Sequence, residues 1–326
     1  MEKVQKVYIG STSNQGIAEY DFQNGELIRG KWTKDEKRCT YLAKTDSHLY
    51  GVIEIEQDEL QEGGYIVSYQ IEENGLKKIE KKPSSGKGPC HITVDKQKKV
   101  MSISHYIDGT FCVRKIQEDG KIGEIIFQEK NIHSHLHCSK FHEKYLLKVD
   151  LGKDAIVAYQ LQENEIQKKA EYQFKKGTQP RHLVIEQDQV YVITEKSCQL
   201  YELQFKEEKF SLKNQYSLLP EGEEKGEMDT GCAIQLSQDR KNLYTTLRGK
   251  NFVCVFRKKD TGWEMIQTIP SGGKMPWDLA VDDQDQFVLV ANLDSSRITI
   301  FSRNQEDGRL TYFGEEAVES PTCILF

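Results

Sequence analysis

No apolar stretch in this chain of 326 residues approaches the ~18 residues that a membrane-spanning helix requires. The mean hydropathy is −0.65, so a helical membrane anchor is excluded. The opening MEKVQKVYIG has neither an apolar core nor a small-residue cleavage site, so no export leader is expected. No CxxC or CxxxC pair occurs among the eight cysteines, at 39, 90, 112, 138, 198, 232, 254 and 323. Zinc-ribbon and dithiol redox motifs are therefore absent. Free, mostly buried thiols and a cytoplasmic location are the expectation for a chain of this length without an export signal. There is also no block of like charge. The balance is 45 Lys+Arg against 51 Asp+Glu, a net −6, which argues against a nucleic-acid-binding surface. No GxSxG elbow is present, and GSTS (10–13) and SGGK (271–274) are too short and misplaced to be phosphate loops. Nothing shows a 3.6-residue apolar period over three turns, so little helix is expected.

What is there is a repeat. Seven segments share a short apolar strand, a polar turn and a second alternating strand. They span residues 7–27, 49–76, 100–122, 146–166, 190–210, 243–263 and 288–310. Their starts lie about 42 to 53 residues apart, the length of one four-stranded propeller blade. A further strand precedes six of them: RCTYLAK (38–44), PCHITVD (89–95), HLHCSKF (135–141), PRHLVIE (180–186), GCAIQLS (231–237) and PWDLAVD (276–282). A seventh copy, PTCILF (321–326), ends the chain, whereas the first repeat has none before it. Circular closure follows: the last strand completes the first blade, which removes the free edges of an open array. The expected fold is all-β, a single seven-bladed β-propeller domain over residues 1–326. DELQEGG (58–64) reads as an insertion in the second blade, and 220–230 as a charged loop.

In such a blade the start of the innermost strand and the end of the next one open on the same face, near the axis. Strand starts here carry His91, His135, His137, Arg181, His182, Trp277 and Asp278. Strand ends carry His105, Tyr106, Asp150, Glu195, Arg248 and Asn292. A concave funnel with this many titratable groups is the natural candidate for an active site. HSHLH (133–137) spaces three histidines by two, which places them on one strand face and makes a metal triad conceivable. One functional histidine with two polar neighbours is the plainer reading, and no metal or other cofactor is expected. Cys90 and Cys138 are expected to point away from the histidines beside them.

The motifs YIG…GI..Y, GPCHI, H-x-HCSKF…LLKVDLGKDAIVAY, QPRHLVIEQDQVYVITE, LYTTLRGKNFVCVF and GGKMPWDLAVD…VLVANLDSSRITIF together resemble the seven-bladed lactonase family. That family contains bacterial 6-phosphogluconolactonases and fungal carboxy-cis,cis-muconate cyclases. The resemblance runs over essentially the whole chain. It implies a site built on His137, on Arg181 of the PRH motif, on Glu195 (in TEK, where the family has NEL) and on Arg248 (in LRG, where the family has NRG). Asp150 lies in the DLG that the family shares. The implied activity is hydrolysis of 6-phosphogluconolactone, with a small anionic sugar lactone as partner, no nucleic acid or membrane, and a monomer or weak homodimer.

Opening a sugar δ-lactone needs a base to activate water and donors for the oxyanion that forms on the carbonyl. Either His137 or Glu195 supplies the base. Either arginine stabilises the oxyanion, while the other, with His91 or His182, holds the phosphate, for which a guanidinium is well shaped. The remaining funnel residues, His105, Tyr106, His135, Asp150, Trp277, Asp278 and Asn292, are expected to line the substrate. The sequence departs from the family at Trp277, where an arginine is usual, and in its SPDG turns, which read SQDR (237–240), DDQD (282–285) and HEK (142–144). Loss of that positive charge favours a less anionic lactone or muconate-type chemistry as the alternative. A non-catalytic binding propeller is the second alternative, and the joint presence of His137, Arg181, Glu195 and Arg248 counts against it.

Overall fold

In the computed structural model, the described residues are 4–54, 63–162 and 165–326. They form seven four-stranded antiparallel sheets and no helix. The innermost strands are Pro321–Leu325, Cys39–Lys44, Pro89–Asp95, Leu136–His142, Pro180–Glu186, Thr230–Leu236 and Pro276–Val281. Each packs against the next around a central channel, and the last returns to the first. We number the blades one to seven in that order. The fold is the seven-bladed β-propeller that the repeats imply. Pro321–Leu325 pairs antiparallel with Gln5–Ser11 and so closes the first blade. Residues 58–62 of the expected insertion lie outside the described residues, and Gly63 and Gly64 are irregular.

The core is divided into seven apolar wedges, one between each neighbouring pair of blades. Between blades one and seven, for example, Val7, Ile9, Ala18 and Ile324 meet Leu289, Ala291, Ile298 and Ile300. Second strands such as Phe287–Asn292 are covered on both faces, hence their near-continuous apolar runs. Outermost strands such as Glu165–Gln173 alternate between exposed and half-buried residues, because only one face meets a neighbour.

One irregularity recurs in every blade. The ladder between the innermost strand and its neighbour slips just after the first residue of the innermost strand, or after the second in the sixth blade. The skipped residues are Thr322, Thr40, Cys90, His137, Arg181, Cys232 with Ala233, and Trp277. Such bulges leave one residue unpaired and re-aim its side chain. Here six of the seven deliver a side chain to one mouth of the channel, while in the sixth blade the Cys232 thiol bonds the Trp277 carbonyl instead.

Candidate active site

That mouth is a cavity of about 470 Å³. Six of the skipped residues line it: Thr322, Thr40, Cys90, His137, Arg181 and Trp277. A second ring comes from the position where the second strand of each blade ends, which supplies Thr12, Glu54, Tyr106, Glu195, Arg248 and Leu293. The fourth blade's counterpart, Leu151, is buried and does not line it. The floor is formed by Tyr41 and His182, which also line a second cavity of about 280 Å³ on the far side of the channel.

Glu195 is the electrostatic hub. One carboxylate oxygen lies 3.2 Å from Arg181 Nε and 3.0 Å from Arg248 Nη2. Arg181 is 1% exposed and donates from Nη1 to the carbonyl of Cys232 at 2.7 Å, which ties blade five to blade six. Arg248 donates from Nε to Thr230 Oγ1 at 2.9 Å. The Trp277 indole lies against both guanidinium groups, 5.3 Å from Arg181 Cζ and 5.0 Å from Arg248 Cζ. The cations are therefore fixed by a carboxylate, a carbonyl, a hydroxyl and an aromatic face, and need no reorganisation when an anion arrives.

His137 is buried beside this group, its ring 5.0 Å from His182 and 5.9 Å from Tyr106. Its Nδ1 is buried without a hydrogen-bond partner among the described residues. Burial, and then the positive charge of Arg181, hold the protonation of His137 and His182 well below the usual histidine range. Both rings are neutral at physiological pH. Burial raises the Tyr106 hydroxyl and, on the adjacent second blade, the Glu54 carboxyl above their ordinary values.

The structure thus brings His137, Arg181, Glu195 and Arg248 to one cavity, with Tyr106, His182 and Trp277. Six other expected lining residues are elsewhere. His91 is fully buried in the plug beneath the floor, stacked on Tyr41 at 4.4 Å and edge-on to His182 at 5.7 Å. Cys90 lines the cavity instead, the reverse of the expected alternation, because the bulge turns residue 90 inward. Asp278 faces the far cavity and accepts the Ile324 amide at 2.9 Å. His105 and Asn292 are the last residues of their strands and point into the blade body. His105 Nδ1 bonds the Thr110 carbonyl at 2.8 Å, and Asn292 bonds Ser271 and Thr299. Asp150 organises the preceding turn through the Ser134 hydroxyl and the His135 amide. His135 stacks behind Tyr106 at 4.8 Å and bonds its carbonyl. The histidines of HSHLH do not share a strand face. His133 and His135 precede the strand, and His133 is exposed. Among the described residues no group of three or more His, Cys, Asp or Glu is placed to hold a metal.

The sequence reading missed Thr12, Thr40, Tyr41, Glu54, Cys90, Leu293 and Thr322. A signal for most of them was present. Each occupies the same repeat position as a residue that was chosen: Thr40, Cys90 and Thr322 match Arg181, and Thr12, Glu54 and Leu293 match Glu195.

Comparison with known proteins agrees with this architecture. A family model described as "Lactonase, 7-bladed beta-propeller" matches residues 6–326. A Formosa agariphila protein named 6-phosphogluconolactonase is 32% identical over 314 aligned positions, covering 87% of this chain and 86% of its own. A Bacillus subtilis protein of the same name is 25% identical over 344 positions, covering 98% and 97%. In structure the chain superposes on Pseudomonas aeruginosa periplasmic gluconolactonase with a TM-score of 0.90, at 20% identity and with 99% of each chain covered. With the propeller, the inward-turned bulges and the whole-length match in agreement, the chain belongs to the seven-bladed β-propeller lactonase family of lactone hydrolases.

Proposed function

We propose that this protein hydrolyses 6-phosphogluconolactone to 6-phosphogluconate, the lactone-opening step of the pentose phosphate pathway. The observation that carries the reading is the clamp of Glu195 between Arg181 and Arg248 beside the neutral His137, whose Nδ1 has no hydrogen-bond partner among the described residues, all on one cavity wall. Attack of water on the lactone carbonyl moves negative charge onto the carbonyl oxygen. Two fixed guanidinium groups stabilise that charge, and the low-polarity surroundings of Trp277, Leu293 and Ile107 strengthen the interaction. A single preorganised donor of this kind is worth about 10²–10³ in rate. Neutral His137 is able to accept a hydrogen bond from a sugar hydroxyl or from the attacking water. The rim and floor hydroxyls of Thr12, Thr40, Thr322 and Tyr41 suit a polyhydroxylated ring. The name borne by the Formosa relative supports the phosphorylated substrate.

One observation favours a second reading, an unphosphorylated sugar lactone. Both arginines in the cavity are already paired to Glu195, and Trp277 stands on their other side. That leaves about one unit of positive charge on this wall for carbonyl and phosphate together, with the Glu54 carboxylate facing it. A coupled assay decides between the two, with freshly generated lactone and spontaneous hydrolysis subtracted. The expected result is acceleration of 6-phosphogluconolactone opening, with kcat/KM at least about tenfold above that for glucono-1,5-lactone. The reverse preference supports the second reading, and no acceleration of either lactone refutes both.

A further inference from the structure

The cavity holds two carboxylates in opposite circumstances. Glu195 is pinned by two cations. Glu54 follows directly on the strand His48–Ile53 in the second blade and occupies the same repeat position as Glu195. In a ring of seven it stands three blades from Arg181 in one direction and three from Arg248 in the other, so it faces the arginine pair across the channel. Its carboxylate has neither an ion pair nor a hydrogen bond among the described residues. Arg38 bonds its backbone carbonyl, at 3.1 Å, and the charge of that guanidinium opposes, without cancelling, the effect of burial on the carboxyl.

We propose that Glu54 is a catalytic residue of the lactone-opening reaction, the general base that takes the proton from the attacking water. The inference rests on the hydrolase reading above. Glu54 removes one proton as the water oxygen bonds to the carbonyl carbon, and the carbonyl electron pair moves onto its oxygen, opposite, against Arg181 and Arg248. Collapse of that intermediate breaks the ring carbon–oxygen bond, and the departing ring oxygen takes the proton back from Glu54. The net change is lactone plus water to hydroxy acid. The placement puts the base on one side of the bound lactone, where water can meet a face of the carbonyl, and lets the carbonyl oxygen point toward the guanidinium donors on the other side. Burial supports the role by making this carboxylate a stronger proton acceptor than a solvated one, whereas burial and Arg181 weaken His137 as a base. Glu195 is less suited, because two guanidinium groups sit on one of its oxygens and draw on the charge that a base would use.

The test compares the unsubstituted protein with Glu54→Gln and Glu54→Ala on 6-phosphogluconolactone and glucono-1,5-lactone, with and without added formate. A general base contributes about 10²–10⁴-fold, so both variants should lose that factor in kcat with KM changed less than about threefold. Formate, a carboxylate small enough for the vacated space, should restore part of the turnover of Glu54→Ala but not of Glu54→Gln. Retention of more than about a third of kcat by either variant overturns the role, and so does a loss that formate does not relieve in Glu54→Ala. If these two variants do not melt cooperatively, Glu54→Asp replaces them. It retains the charge one methylene short, and it should lose kcat by about 10-fold or more at unchanged KM, with unchanged kcat overturning the role. Absence of turnover by the unsubstituted protein on both lactones overturns the hydrolase reading, and Glu54's role falls with it.

Discussion

Replacing Glu195 by glutamine keeps the shape of the clamp and removes its charge, so the variant isolates the electrostatics of the site. The two guanidinium nitrogens share one oxygen at 3.2 and 3.0 Å, which places them at most about 6 Å apart. At an effective dielectric of about 20, two unit charges at that separation repel by about 3 kcal/mol. Both arginines are buried, and their other partners, the Cys232 carbonyl and Thr230 hydroxyl, carry no charge to offset this. That repulsion is present in both proteins; Glu195→Gln removes the attraction that offsets it and leaves two buried cations without a counter-charge, so the variant should lose about 3–5 kcal/mol of unfolding free energy in low-salt buffer. An anion should substitute for the missing carboxylate, so phosphate or 6-phosphogluconate at millimolar concentration should recover most of the loss in the variant and little in the parent. The measurement is urea unfolding at 25 °C, with and without anion. A loss below about 0.5 kcal/mol, or equal anion effects in both proteins, would show that solvent screens the arginines and that the clamp is not the charged centre of the cavity.

Two further predictions concern Trp277 and Asp278. Trp277→Arg places a third cation against the other two. One added charge-assisted contact, worth about 1.5–3 kcal/mol, should raise the kcat/KM ratio of phosphorylated to unphosphorylated lactone by about 10–100-fold, and an unchanged ratio would place the phosphate away from residue 277. Asp278 has its pKa pushed from 3.8 to about 6 by burial. The folded state therefore holds the proton more tightly than the unfolded state, and stability present below pH 4 is lost as pH rises through 6. At about 1.4 kcal/mol per unit, Asp278→Asn should gain up to about 3 kcal/mol over the parent between pH 4 and pH 6 and hold that gain above it. Urea midpoints across pH 4–8 check this; a pH-independent difference would mean that the carboxyl is solvated.

Much of the architecture was readable in advance because it is written seven times. A strand pair spaced by about one blade length, with an unpaired copy at the chain end, leaves little besides a closed ring. The grouping of His137, Arg181, Glu195 and Arg248 was likewise legible, since each lies at a strand start or strand end of its repeat. The failures share one physical cause. Side chains on a strand alternate, so an error of one residue sends every choice to the wrong face. His105, Asp150 and Asn292 sit one residue short of the lining register, while Tyr106 and Leu293 sit on it. At strand starts the error has the opposite sign. The bulge carries Cys90 and Trp277 inward and leaves His91 and Asp278 in the channel below. A bulge is a property of pairing, and nothing in a single strand's composition announces it.

The distribution of chemistry around the ring follows from the same geometry. Seven equivalent bulges and seven equivalent strand ends could carry equivalent side chains, yet the cations gather on blades five and six, with tryptophan on seven and neutral groups on one and three. Ion pairing within about 3 Å demands neighbours. Arg181 reaches both Glu195 of its own blade and the Cys232 carbonyl of the next, and Arg248 reaches back to the same glutamate. The clamp is therefore also a polar staple across the interface between blades five and six, in addition to the apolar wedge of Ile193, Leu200, Leu243 and Leu247 beneath it. Opposite it, the second blade presents a carboxylate that forms no ion pair among the described residues, the charge of Arg38 only partly offsetting its burial. A symmetric scaffold acquires a direction in this way: oxyanion donors on one wall, a proton acceptor on the other, and room for one small ring between them.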